Sequence, residues 1–180
     1  MTNLRFYHRV PTEMHGRRLV PLSTIKKEWP NLYQKLSAKY IGREFVMECE
    51  VFPLSCLWND VIHFSPVHPL VLDKALRKVG FQYPPLKWFE IDPERLNFSR
   101  ENACIFLHTF REDVDPKKNR DDFIPYTTEE AKKLGTVPAE TIRYFEECLR
   151  ADADPLLFQW VPHILYKGEI EVDGIKIIEG

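Results

Sequence analysis

At 180 residues, with 44% hydrophobic and 29% charged side chains, the chain has the size and composition of one soluble domain, 1–180, able to bury a core. A net charge of −2 excludes a general electrostatic grip on nucleic acid, although Arg5, Arg9, Arg17 and Arg18 crowd the N-terminus. Cys49, Cys56, Cys104 and Cys148 form no C-x-x-C pair and read as reduced thiols of a cytoplasmic protein. No signal-like run and no stretch of ~20 apolar residues points to a membrane.

Leu4 to Val10 alternates and is rich in aromatics, which predicts a first strand stopped by Pro11. After a loop to Pro21, Ser23 or Thr24 can cap a helical region in which Ile25, Trp29, Leu32, Leu36 and Tyr40 recur at helical spacing. Pro30 inside that pattern makes it two short helices or one with a kink. Phe45 to Phe52 reads as a strand. Val61 and His63 then alternate with Ile62 and Phe64 in a short strand that stops at Ser65-Pro66, its polar end opening into a cleft. Pro69 suits a first helical turn, and Leu72, Ala75, Leu76 and Val79 form a stripe that ends at Gly80.

Lys87 to Asp92 and Ala103 to His108 are predicted strands, the second buried. Arg111 to Asp122 is a charged loop, read as a solvated insertion or as a lid that meets a partner. Thr127-Thr128-Glu129-Glu130 offers a capping box for a helix ending at Gly135. Pro138 opens another, with Ile142, Phe145 and Leu149 on one side. Leu156 to Val161 reads as a late strand, Ile164 to Tyr166 follows, and Glu169 to Ile178 suggests a hairpin turning at Asp173-Gly174. This order predicts an α+β fold in which two small, mostly antiparallel sheets form a cleft beside flanking helices.

Glycine-rich phosphate loops, nucleophile elbows and H-E-x-x-H are absent from the sequence. Asp60, His63 and His68 are three metal-ligand types within nine residues, but strand alternation puts Asp60 and His63 on opposite faces. Two histidines flanking a turn are more often hydrogen-bonded structural groups, and no metal is expected. Cys56, near His63 and Asp60, reads as a buried, inert thiol. The remaining constellation is Tyr7-His8-Arg9 with His63-Phe64-Ser65. A strand histidine can hold a ribose hydroxyl and a serine a second one. Tyr7, Tyr40 or Trp58 can stack on a flat ring, and Arg9 or Arg17 can meet a pyrophosphate.

Tyr7-His8 on an early strand, His63-Phe64-Ser65 before a helix, Trp88-Phe89-Glu90-Ile91-Asp92-Pro93 and Ala103-Cys104-Ile105-Phe106 together resemble the small ADP-ribosyltransferase-like fold. The RNA 2′-phosphotransferases and the DNA-modifying ADP-ribosyltransferase toxins are the branches most similar in pattern. The resemblance implies NAD as cofactor, with His8 and Ser65 binding it and His63 just before the serine. Gln159 stands where that family places a Glu or Gln that stabilises the cationic sugar as nicotinamide leaves. No glutamate stands there; Glu169 and Glu171 follow later as substitutes, and Asp60 or a late glutamate would supply the base that a neutral amide cannot. The acceptor would be a nucleic acid, a protein or a small molecule. Two other readings stay open: a non-catalytic binding or inhibitor module acting on a protein partner, and a metal-assisted hydrolase using Asp60, His63 and His68.

Overall fold

Residues 4–109 and 120–180 are described by a computed structural model of the chain. Most of the charged loop predicted over Arg111 to Asp122 lies outside the described residues; its end, Arg120–Asp122, is a 3₁₀ turn. The fold is mixed, with two principal antiparallel sheets. In the three-stranded sheet, β6 (Lys87–Ile91) lies between β1 (Phe6–Arg9) and β11 (Lys176–Glu179), with Phe6 opposite Ile91 and Ile177 opposite Phe89. In the four-stranded sheet the order is β5 (Ile62–Phe64), β9 (His163–Tyr166), β7 (Ala103–Phe106) and β8 (Phe123–Pro125). Two short ribbons complete the β structure. β2 (Arg18–Leu19) pairs with β10 (Ile170–Glu171), and β3 (Glu50–Val51) pairs with β4 (Cys56–Leu57).

Alternation along these strands builds two cores. Ile62, Phe64, Ile105 and Ile164 point from the four-stranded sheet toward Phe6, Phe89 and Ile91 of the other sheet. On the opposite face Val61, Cys104 and Leu165 pack with Val51 and Leu54. Each fully buried aliphatic or phenyl side chain here contributes about 1.5–3 kcal/mol. A third cluster joins α3 (Pro69–Val79) to α5 (Ala139–Arg150) through Leu72, Leu76 and Phe145. The first helical region is two helices, α1 (Leu22–Glu28) and α2 (Pro30–Ser37). Trp29 stands between them because Pro30 has no N–H to continue the first. Helix α4 (Thr128–Lys132) is capped as its sequence suggests, with the Thr127 hydroxyl accepting from the Glu130 N–H at 3.1 Å.

Several sequence expectations are corrected. Of Phe45 to Phe52 only Glu50–Val51 is a strand; Glu44–Glu48 is a 3₁₀ turn, because the Gly42 N–H bonds the Glu44 carboxylate and Cys49 closes back on Val46. Leu156 to Val161 is a pair of turns, with the Gln159 N–H donating to Leu156 O and the Val161 N–H to Phe158 O. Trp160 there has a left-handed φ of 64°. Asp173-Gly174 does turn the chain, but the segments it joins belong to different sheets, so no hairpin forms. Asp60 lies in the 3₁₀ turn Trp58–Asp60 rather than on the strand, held by accepting the Leu57 N–H at 3.0 Å. In α5 the buried face is Thr141, Phe145 and Cys148, while Leu149 is exposed.

Besides their shared core, the two principal sheets are joined by one backbone bridge. Tyr7 and Ser65 exchange both backbone hydrogen bonds at 2.9 Å. Antiparallel pairing continued from there would set His8 against Phe64 and Arg9 against His63. That ladder is not made, and the strands part over those residues. The parting creates the cleft described next.

Candidate functional site: a cleft at the parting of the two sheets

The cleft has a volume of about 380 Å³, within the range of ligand sites. One wall is the end of β1 and the loop after it, the other is α1 and α2, and Trp58, Asn59, Ile62 and His63 form the floor. Its position follows from the fold: β1 supplies His8 and Arg9 just past the junction, and β5 supplies His63 from the face that carries Val61.

His8 Nδ1 lies 2.7 Å from the Arg9 carbonyl. That geometry makes Nδ1–H the donor and leaves Nε2 as an acceptor. Burial, with a smaller push from Lys39, lowers the His8 pKa to about 4 despite the opposing effect of that hydrogen bond, so the ring is neutral at pH 7. His63 packs against the Trp58 indole at 4.6 Å between ring centres. Burial first, then His163, Lys39 and His8, hold its pKa well below the ordinary value. Its Nε2 and the Asn59 Oδ1 are buried with no hydrogen-bond partner in the structure. The Trp58 indole hydrogen-bonds the Tyr40 hydroxyl, and burial raises the Tyr40 pKa.

The charge around the cleft is one-sided. Lys39 also lines it, and burial, then Arg43, lowers its pKa. Among the described residues neither Lys39 nor Arg9 has a carboxylate partner. Arg18 also faces the cleft and is paired with Glu169. Glu13, the one carboxylate among the described lining residues, is engaged by Lys35 at 2.7 Å. Lys39 is solvent-exposed as a residue, so its ammonium is open to an incoming anion, whose counter-charge offsets what partial desolvation at the cleft costs the cation.

Behind the floor, on the same face of the four-stranded sheet, the imidazoles continue. His163 lies 6.2 Å from His63, and His108 lies 5.6 Å from His163, between ring centres, with Phe106 packed against both His108 and His163. Burial lowers the His163 pKa to about 3 and also depresses that of His108. No group of three or more His, Cys, Asp or Glu among the described residues could hold a metal ion.

The sequence-derived candidates are therefore divided. His8, Arg9 and His63 share the cleft, with Tyr40 and Trp58. Tyr7 is buried beside it, edge-on to His68 at 4.8 Å, and burial raises its pKa to about 12. Ser65 is buried under the junction, where its hydroxyl donates to the Val67 carbonyl at 3.0 Å and accepts the Val67 N–H at 3.1 Å. Gln159 does not line the cleft; its backbone carbonyl accepts the Thr141 hydroxyl at 2.9 Å. Arg17 points to Asp173 at 2.8 Å. Asp60 and His68 each hold a local backbone N–H, of Leu57 and Leu70, and do not converge with His63. Burial raises the Cys56 pKa, which leaves its thiol unactivated. Lys39, Asn59, His15 and Trp29 are the cleft residues that sequence reading passed over as functional. A lysine following a helix gives no signal that it faces a cleft, and Trp29 reads as part of an apolar stripe.

Comparison of this chain with family models, with curated proteins and with solved structures finds no match. Among the described residues no helix is long and apolar enough to cross a membrane.

Proposed function

We propose that the cleft is a dinucleotide site and that the protein is an NAD-using, ADP-ribosyltransferase-like enzyme acting on a nucleic-acid, protein or small-molecule acceptor. One observation carries this reading: where the two sheets part, acceptor-bearing neutral imidazoles and cations with no carboxylate partner among the described residues face a single hollow of nucleotide size. The Nε2 of His8 takes a ribose hydroxyl proton in a hydrogen bond, Arg9 and Lys39 hold the pyrophosphate, and Trp58 and Tyr40 bound the sugar from below. In the reaction the bond from the ribose C1′ to nicotinamide breaks, with its electron pair leaving on nicotinamide. An acceptor oxygen or nitrogen then bonds to C1′ from the opposite face. His63 takes the acceptor's proton and returns it to solvent. Neither Ser65 nor Gln159 takes part, the first because its hydroxyl is already committed, the second because of its place on the turn.

A second reading, a nucleotide-binding module without turnover, is favoured by the lack of an unengaged carboxylate among the described lining residues. A thermal-shift titration with NAD, run beside a nicotinamide-release assay and repeated on His8→Ala, separates the two. Stabilisation with release, both reduced in the variant, supports the enzyme. Stabilisation without release supports the binding module. No stabilisation of the wild-type protein removes both.

A further inference from the structure

The cleft wall formed by α1 and α2 carries a feature that the pyrophosphate and ribose contacts do not use. The Trp29 indole lines the cleft and is covered by the His15 ring, with 5.1 Å between ring centres and planes within 11°. This is a face-to-face aromatic stack. The two partners are held very differently. Trp29 sits at the α1–α2 break, its N–H donating to Ile25 O at 2.8 Å and its carbonyl accepting the Tyr33 N–H at 3.0 Å, so the indole stands on rigid structure. His15 is on the exposed loop between β1 and β2. Besides the stack, that loop reaches α2 through the exposed Glu13–Lys35 pair at 2.7 Å, and Glu13 lies 3.9 Å from His15. Exposed pairs of this kind hold a loop only weakly. Next to His15, Gly16 adopts a left-handed φ of 71° with nothing within 4 Å of where a Cβ would stand. That glycine gives the backbone a hinge between Met14, which packs on the core, and Arg17, whose carbonyl accepts the Val172 N–H, so His15 can turn away without either anchor being lost.

We infer that Trp29 is the stacking platform for the purine base of the nucleotide, and that His15 occupies that platform when no base is present. The inference rests on the reading of the cleft as a nucleotide site. A purine is neutral and so is not repelled by the neighbouring Lys39 and Arg9, and its two fused rings cover an indole face more fully than one imidazole does. The positively charged pyridinium of NAD is the poorer match beside those cations. The base therefore lies against α1 and α2, and the nicotinamide end is left to the floor at His63.

Calorimetric titration of ADP-ribose, which carries the purine without nicotinamide, tests this. Wild-type protein is expected to bind it, Trp29→Phe to bind within a few-fold, and Trp29→Ala about tenfold or more weakly, as for other base–aromatic stacks. His15→Ala, which uncovers the platform, is expected to bind as tightly as wild type or several-fold more tightly. Nicotinamide mononucleotide, which lacks the purine, is expected to be indifferent to Trp29→Ala. Wild-type binding of ADP-ribose that Trp29→Ala leaves unchanged overturns the platform while sparing the nucleotide reading, and so does weaker binding by His15→Ala. No binding of ADP-ribose or NAD to the wild-type protein overturns both. Urea midpoints measured in parallel identify any variant whose loss reflects unfolding.

Discussion

Lowering the pH from 7.5 to 5 is expected to destabilise the protein by an amount that the buried imidazoles set. His8 and His163 are neutral in the folded protein, with pKa values lowered from 6.5 to about 4 and about 3, in each case chiefly by burial. In the unfolded chain each takes up a proton as the pH falls through about 6.5. Between that value and the folded pKa the unfolded state binds more protons, so stability falls as the medium becomes more acid. At pH 5 the difference amounts to roughly 2 kcal/mol for each ring, against a few tenths or less at pH 7. His63 and His108, shifted the same way, add to the slope. Glu13 and Glu44, whose pKa values are lowered by Lys35 and by backbone hydrogen bonds respectively, act outside this window. Their contribution is lost only below the ordinary carboxylate value of 4.5. The assay is urea denaturation followed by tryptophan fluorescence at both pH values, on wild type and His163→Phe. Wild type is expected to lose about 4 kcal/mol or more, a large part of a typical domain's stability, and the variant about 2 kcal/mol less than that. Equal stability at the two pH values, or an undiminished slope in His163→Phe, refutes the burial argument.

Three substitutions test the frame around the cleft. Ser65→Ala leaves the buried Val67 N–H without its acceptor and is expected to cost about 1–3 kcal/mol in urea melts, yet to leave NAD-dependent thermal stabilisation intact. Loss of that stabilisation with little change in urea would return Ser65 to the ribose. Phe145→Ala empties the fully buried contact between α3 and α5 and is expected to cost about 3–5 kcal/mol. Gly168→Ala combines a φ of 146° with a Cβ that would meet the Tyr166 ring at 2.9 Å, and a loss of about 2 kcal/mol, roughly 4–8 °C in Tm, is expected by calorimetry.

Local chemistry was legible in the sequence wherever a segment decides its own conformation. His68-Pro69 through Gly80 reads directly as a capped helix because its proline, apolar stripe and glycine stop all lie within it, and Gly80 closes on Leu76 as such a stop should. The strand at Lys87 was equally readable from alternation, and that at Ala103 from its continuous apolar run. What alternation leaves open is the partner. Nothing in Phe6-Tyr7-His8-Arg9 shows that β6 separates β1 from β11, or that only Tyr7 of this strand bonds across to Ser65. The same limit explains the turn at Asp173-Gly174, which was visible, whereas the separate sheets of its two arms were not. Apolar residues around Gln159 promised a strand, but Pro162 and the turns at Leu156 and Phe158 prevail there.

For the site, His8, Arg9 and His63 were legible because polar groups at strand ends are conspicuous. Lys39 was not, since it reaches the cleft only because the turn after α2 sets Tyr40 against Trp58, a contact that its neighbours in sequence do not announce. Ser65 illustrates the converse. Its position drew attention as a ligand group, while its actual partner is the backbone two residues on, a use of serine common at turns.

The proposed dinucleotide site stands or falls on whether the cations without carboxylate partners among the described residues receive a ligand's phosphates. Calorimetric titration of NAD into wild type and Lys39→Met tests that directly. Lys39 is a solvent-exposed residue with no carboxylate partner among the described residues, so its replacement is expected to move the urea midpoint little, and weakened binding in that variant is not a symptom of unfolding. One saturable site in the wild-type protein, weakened about tenfold or more in Lys39→Met, is the expected result. Absence of saturable heat up to millimolar NAD, or equal affinity in the two proteins, contradicts the placement of the pyrophosphate and with it the proposed site.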